Sequence, residues 1–95
     1  MEGHAVVADG DEIRLLIADG RAAVRDGLAR LLVANEGLDV VATACSAEAV
    51  AATLRRTPID VALIAADFPG GVHAAAQALR AACPRARLVG YGTAG

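Results

Sequence analysis

Ninety-five residues, 56% of them hydrophobic and 21% charged, supply one core and are too few for two. The formal net charge is −2, with acids and arginines interleaved, which excludes the concentrated basic surface that nucleic-acid phosphates require. Export and membrane insertion are disfavoured too: Met1 to His4 has no basic n-region, Ala5 to Ala8 is too short for a signal peptide, and no run approaches ~20 apolar residues. All nine basic residues are arginine, so the chain holds no lysine, and it has no tryptophan. An alanine-heavy core gains less at about 25 cal/mol per Å² than one built on Leu and Phe, so modest stability is expected. Cys45 and Cys83 are too few for a disulfide framework or for a zinc site, which needs about four ligands; a cytoplasmic setting is expected.

Residues 1–12 end in Asp9-Gly10-Asp11-Glu12 and read as a loose N-terminal tail, leaving 13–95 as the folded unit. Ile13 to Ala18 is a short apolar run closed by Asp19-Gly20, the content of a strand buried on both faces of a parallel sheet. Val24, Leu28, Leu31 and Leu32 then recur at i, i+4, i+7 and i+8, which predicts one helical stripe ending at Asn35-Glu36-Gly37. Asp39 to Ala42 is a second strand, and Ser46 caps a second helix carrying Val50 and Leu54, which Pro58 prevents from continuing. Asp60 to Ala65 is a third strand and Phe68 to Gly71 a turn. Val72, Ala76, Leu79 and Cys83 line a third helix that stops at Pro84, and Leu88 to Tyr91 is a fourth strand.

This β-α-β-α-β-α-β rhythm with short connections requires right-handed crossovers and a parallel sheet covered by helices. In open sheets of this kind ligands and chemistry sit at the carboxyl ends of the strands, where the strand order reverses. The residues that fall there are Asp19, Gly20, Ala65, Ala66, Asp67, Gly92 and Thr93.

The chain resembles the receiver domains of bacterial response regulators, particularly those of the LuxR-type transcription factors. The resemblance runs from Ile13 to about Thr93. It rests on Ile13 to Asp19 followed by Val24-Arg25-Asp26-Gly27-Leu28, on Pro58 to Ile64 followed by Pro69-Gly70, and on Ala82 to Val89. It implies a flavodoxin-like open parallel sheet of strand order 2-1-3-4, with the fourth helix, fifth strand and fifth helix of that fold lacking in this chain. It also implies a site of two acids after the first strand that hold a divalent cation, a phosphate-accepting aspartate ending the third strand, a hydroxyl residue after the fourth, and a lysine after the fifth.

Carried over position by position, that site is dismantled. Asp19 keeps the first acid and is the only retained metal candidate, but Gly20 stands where its partner would be. The phospho-acceptor position lies five residues after Asp60 and four before Pro69, and both counts arrive at Ala65. A methyl group cannot attack phosphorus. The hydroxyl position falls on Gly92 by strict spacing, or on Thr93 if the turn carries an insertion, and the lysine is absent. Magnesium is usually held by one or two carboxylates together with phosphate oxygens, so no Mg²⁺ or other cofactor is expected.

The expected role is therefore a non-enzymatic regulatory module of a two-component-type transcriptional regulator. It would act through dimerisation, ligand or partner binding, and reach DNA only through a helix-turn-helix domain not contained in this chain. Two alternatives stay open: a phosphorelay receiver that uses Asp67 as a displaced acceptor, and a stand-alone interaction module. Asp67 otherwise reads as a solvated turn acid. His4 and His73 lie apart from any ligand cluster, Gly70-Gly71 lacks a phosphate-loop lysine, and the two cysteines read as inert thiols. The fourth strand is expected to be an exposed edge, inviting self-association.

Overall fold

The structure, a computed structural model, describes residues 12–92. The expected tail, apart from Glu12, and Thr93 lie outside the described residues. Seven elements alternate along the chain: β1 (Ile13–Ala18), α1 (Ala22–Val33), β2 (Leu38–Ala44), α2 (Ala47–Leu54), β3 (Val61–Ala65), α3 (Val72–Ala82) and β4 (Arg87–Tyr91). They form one four-stranded sheet in the order β2-β1-β3-β4, with every pairing parallel. This is the flavodoxin-like order that the resemblance implies.

The order fixes where the helices lie. The first crossover steps outward from β1 to β2, and the second steps back across β1 to β3. Because both are right-handed, α1 covers one face and α2 and α3 the other. The α2/α3 face holds the continuous core: Leu16, Ala18, Ala62 and Ile64 from the strands meet Val50, Leu54, Ala75 and Leu79 from the helices. A Val, Leu or Ile buried to this degree contributes about 1.5–3 kcal/mol. On the strands, alternation sends Leu15 and Ile17 to the α1 face, where both are still almost fully enclosed.

Local chemistry explains the helix boundaries. Ser46 is extended at the N-cap of α2, and its hydroxyl oxygen accepts a hydrogen bond from Ala49 N at 3.2 Å. At the other end of α3, Cys83 N donates to Leu79 O at 2.7 Å, and Pro84, without an N–H, follows directly.

Four expectations need correction. Leu31 does not join the α1 stripe; it is 69% exposed, and no α1 residue is fully buried, because the helix lies over β1 and β2 with its far side in solvent. Within α3, Ala75 takes the fully buried position instead of Ala76. The second strand runs on to Ala44, since Thr43 and Ala44 continue the ladder opposite Ile17 and Ala18. Phe68, read as part of a turn, is a core residue whose ring closes the end of the α2/α3 face. The β1–β2 ladder also contains a bulge: Leu15 pairs with Val40 and Leu16 with Ala42, so Val41 is an extra residue on β2.

Candidate functional site at the carboxyl ends of the strands

Asp19 extends β1 by one residue, its N–H donating to Ala44 O at 3.0 Å, and its carboxylate is fully buried at the sheet end. A buried charge needs a partner and filled hydrogen bonds. Both are supplied. Oδ1 accepts from Arg21 N at 2.8 Å and from Arg21 Nε at 2.9 Å, while Oδ2 accepts from Arg21 Nη2 at 2.9 Å and from the Tyr91 hydroxyl at 2.5 Å. Four donors fill the acceptor sites of one carboxylate. Arg25, one turn into α1, adds a bond from Nη1 to the Asp19 carbonyl oxygen at 2.9 Å.

These contacts set the charge states. The Arg21 side-chain hydrogen bonds hold the Asp19 carboxyl well below the usual carboxylate range, overcoming the opposing effect of burial, with the Tyr91 hydroxyl assisting. Burial pushes the Tyr91 phenol above its ordinary value, and donation to the charged Asp19 pushes it the same way. Asp19 is an anion and Tyr91 a neutral donor throughout the neutral range.

Gly20 is a place of close approach. A Cβ built there would lie 2.6 Å from Pro69 Cγ and 2.9 Å from Pro69 Cδ, closer than carbon atoms pack. The proline of the β3–α3 turn thus occupies the space a second acid would need. Ala65 is the last residue of β3, fully buried and paired with Tyr91, and the next N–H, of Ala66, donates to Tyr91 O at 2.8 Å. Gly92 has φ +112°, a conformation that a β-branched side chain resists, so the strict-spacing position offers no hydroxyl and does not readily accept one.

Asp67 does not face Asp19 directly. Its side chain is 73% exposed and is joined to the buried acid only through Arg21, whose Nη2 lies 3.5 Å from Asp67 Oδ1. An exposed pair at that distance contributes little. The structure therefore brings Asp19, Gly20, Ala65, Asp67 and Gly92 to one end of the sheet, as read from the sequence. Two residues that sequence reasoning did not single out join them, Arg21 and Tyr91. The available signals were an arginine directly after the strand-ending Asp-Gly and the chain's single tyrosine.

The divalent cation that the resemblance implies does not suit this donor set. It takes oxygen ligands in near-octahedral array, whereas here one carboxylate has both oxygens committed to N–H and O–H donors, and the neighbouring position has no side chain. Among the described residues no group of three or more His, Cys, Asp or Glu side chains converges.

A parallel β2-β1-β3-β4 sheet with a buried acid after β1 and a proline turn after β3 is the flavodoxin-like arrangement of receiver folds. Solved structures of LuxR-family response regulators share this fold. The RcsB response regulator of Salmonella typhimurium superposes with a TM-score of 0.74 at 18% identity, over 84% of this chain and 42% of that one. A LuxR-family two-component response regulator from an Aurantimonas species gives 0.75 at 29% identity, over 83% and 57%. The signal receiver domain of the putative response regulator NarL from Mycobacterium tuberculosis gives 0.74 at 23%, over 88% and 71%. The chain thus spans about two-fifths of the RcsB chain and 57% of the Aurantimonas one. No family model and no curated protein matches it in sequence.

Proposed function

We propose that this chain is a non-enzymatic, cytoplasmic regulatory module of a LuxR-type response regulator that does not accept phosphate and binds no Mg²⁺. One observation carries the reading: β3 ends on the methyl group of Ala65, fully enclosed beside Tyr91, at the position where the resemblance calls for a nucleophilic carboxylate. Asp67, the alternative acceptor, is a solvated side chain two residues further on, and nucleophile geometry tolerates a displacement of only about 1 Å. Signalling then rests on contacts that do not depend on phosphorylation. DNA is reached through a separate domain, in keeping with the DNA interaction reported for RcsB.

The test is to incubate the protein with a small acyl phosphate and Mg²⁺ and weigh it intact. An unchanged mass is expected. A phosphoryl gain that disappears in Asp67→Ala would replace this reading with a functional phosphorelay receiver. Self-association through the β4 rim is part of the proposal, and light scattering that stays monomeric at high concentration would remove that part.

A further inference from the structure

We propose that Arg21 is a tethered cation that permanently fills the crevice in place of a diffusible metal ion and keeps divalent cations out. This rests on reading the crevice as a receiver site that has lost its chemistry, and it adds what now occupies it. The guanidinium is bidentate on the buried Asp19 carboxylate through Nε and Nη2, and the same Nη2 points on toward Asp67, so one positive group lies between the two acids of the crevice. Planar forks of this kind match a carboxylate in shape as well as charge. Arg21 is also bound to Asp19 by its own backbone N–H, so the plug is two residues from its socket and cannot be diluted away.

Tyr91 completes the closure. Its hydroxyl takes the remaining acceptor position of Asp19 Oδ2 from the end of β4, which ties the last described strand to the start of α1 through one carboxylate. An incoming Mg²⁺ would have to displace the guanidinium, break the phenol contact and replace both with water. No second carboxylate at residue 20 stands ready to repay that. The crevice is held in one arrangement, and the divalent-cation input is disconnected at the level of charge as well as nucleophile.

The inference is tested on the whole chain by following backbone amides while titrating Mn²⁺ without any phosphodonor. In the wild type, millimolar Mn²⁺ leaves the amides of Asp19, Gly20 and Asp67 no more broadened than the rest of the surface. Arg21→Gln broadens those amides selectively, with an apparent affinity at least about tenfold above wild type, and Arg21→Lys, which keeps the charge but loses the bidentate fork, falls between the two. Equal broadening in the wild type and Arg21→Gln, or a folded Arg21→Gln with no selective broadening, overturns the proposal. If Arg21→Gln does not fold, the wild-type Arg21 Nε–H resonance decides: it stays in place and slow to exchange at millimolar Mg²⁺, and its loss on adding the metal refutes the plug. Metal uptake with an unchanged mass under acyl phosphate would sink the plug and the metal-free part of the proposed function, whereas phosphoryl transfer would sink the phosphate-independent reading on which both stand.

Discussion

The two faces of the sheet are stabilised differently. Beneath α2 and α3, side chains from three strands and two helices form one continuous apolar cluster, and Leu79, Val50 and Ile64 are almost completely enclosed. On the α1 face, Leu15 and Ile17 are enclosed, but the helix itself buries nothing fully. Among the described residues no helix lies over β3 and β4 there, and Leu31, Val33 and Val89 remain exposed. What anchors that side instead is polar: Arg21 at the α1 N-cap and Arg25 within α1 fasten the helix to Asp19. One face is held by volume and the other by a charged knot at its end. Burial of apolar surface is insensitive to pH, and a charged knot is not.

Mutations separate the two. The largest effect belongs to the packed face: Leu79→Ala is expected to cost about 2–5 kcal/mol in urea unfolding, the range for a leucine truncated in a closed core. A loss under 1 kcal/mol would mean that the α2/α3 face collapses to refill the space. Gly20→Ala comes next, at about 1–3 kcal/mol, because its methyl is driven against the Pro69 ring, which has no free rotamer to yield. A neutral outcome would show that the β3–α3 turn moves aside, and the crevice would then have room for a second acid.

The charged knot predicts a pH signature. Asp19 is depressed in the folded state, so its contribution is fully present above the unfolded carboxyl value of about 3.9 and is lost as pH falls further. Tyr91 is raised, so its contribution holds up to the ordinary phenol value of about 10 and fades as pH climbs beyond it. Because Tyr91 is the only tyrosine and there is no tryptophan, its ultraviolet absorbance reports ionisation directly. The titration should lie above that of free tyrosine and move back toward it in Asp19→Asn. A wild-type curve with the ordinary phenol midpoint would show that the hydroxyl is not bonded to Asp19 in solution. The smallest effect is expected at Leu31→Ala, within about 0.5 kcal/mol, since its side chain already lies in water. A larger change would place a partner on that face.

The fold was legible because hydrophobic period and breakers agree along the whole chain. The apolar runs at Ile13 to Ala18 and Asp60 to Ala65, the Ser46 cap and the stop at Pro84 each point to one element. The strand order β2-β1-β3-β4 is what the resemblance implies, since right-handed crossovers alone are compatible with other orders. The placement of Ala65 at the end of β3 was legible too, because the apolar run from Asp60 stops there ahead of the Pro69 turn. What was not legible depends on contacts that no local pattern encodes. The Arg21 side chain folds back onto a residue two places earlier, and Tyr91 reaches Asp19 across 72 positions of sequence. Leu31 misled for a related reason: its spacing fits the stripe, but exposure depends on how far α1 overhangs the sheet, which only the assembled layers decide. Phe68 was masked by its neighbours, since Pro69, Gly70 and Gly71 mark a turn whatever the buried side chain beside them does.

The extra residue at Val41 makes the two rims of the sheet unequal toward a newcomer. Along β4 the hydrogen-bonding groups keep an even spacing that another strand can match, while along β2 the spacing is broken partway. Head-to-tail growth would need both rims and would stall at the irregular one. Two copies meeting rim to rim at β4 need only the regular edge, and a twofold axis ends the assembly at a pair. In the proposed self-association, that single inserted valine would favour a closed pair over fibres.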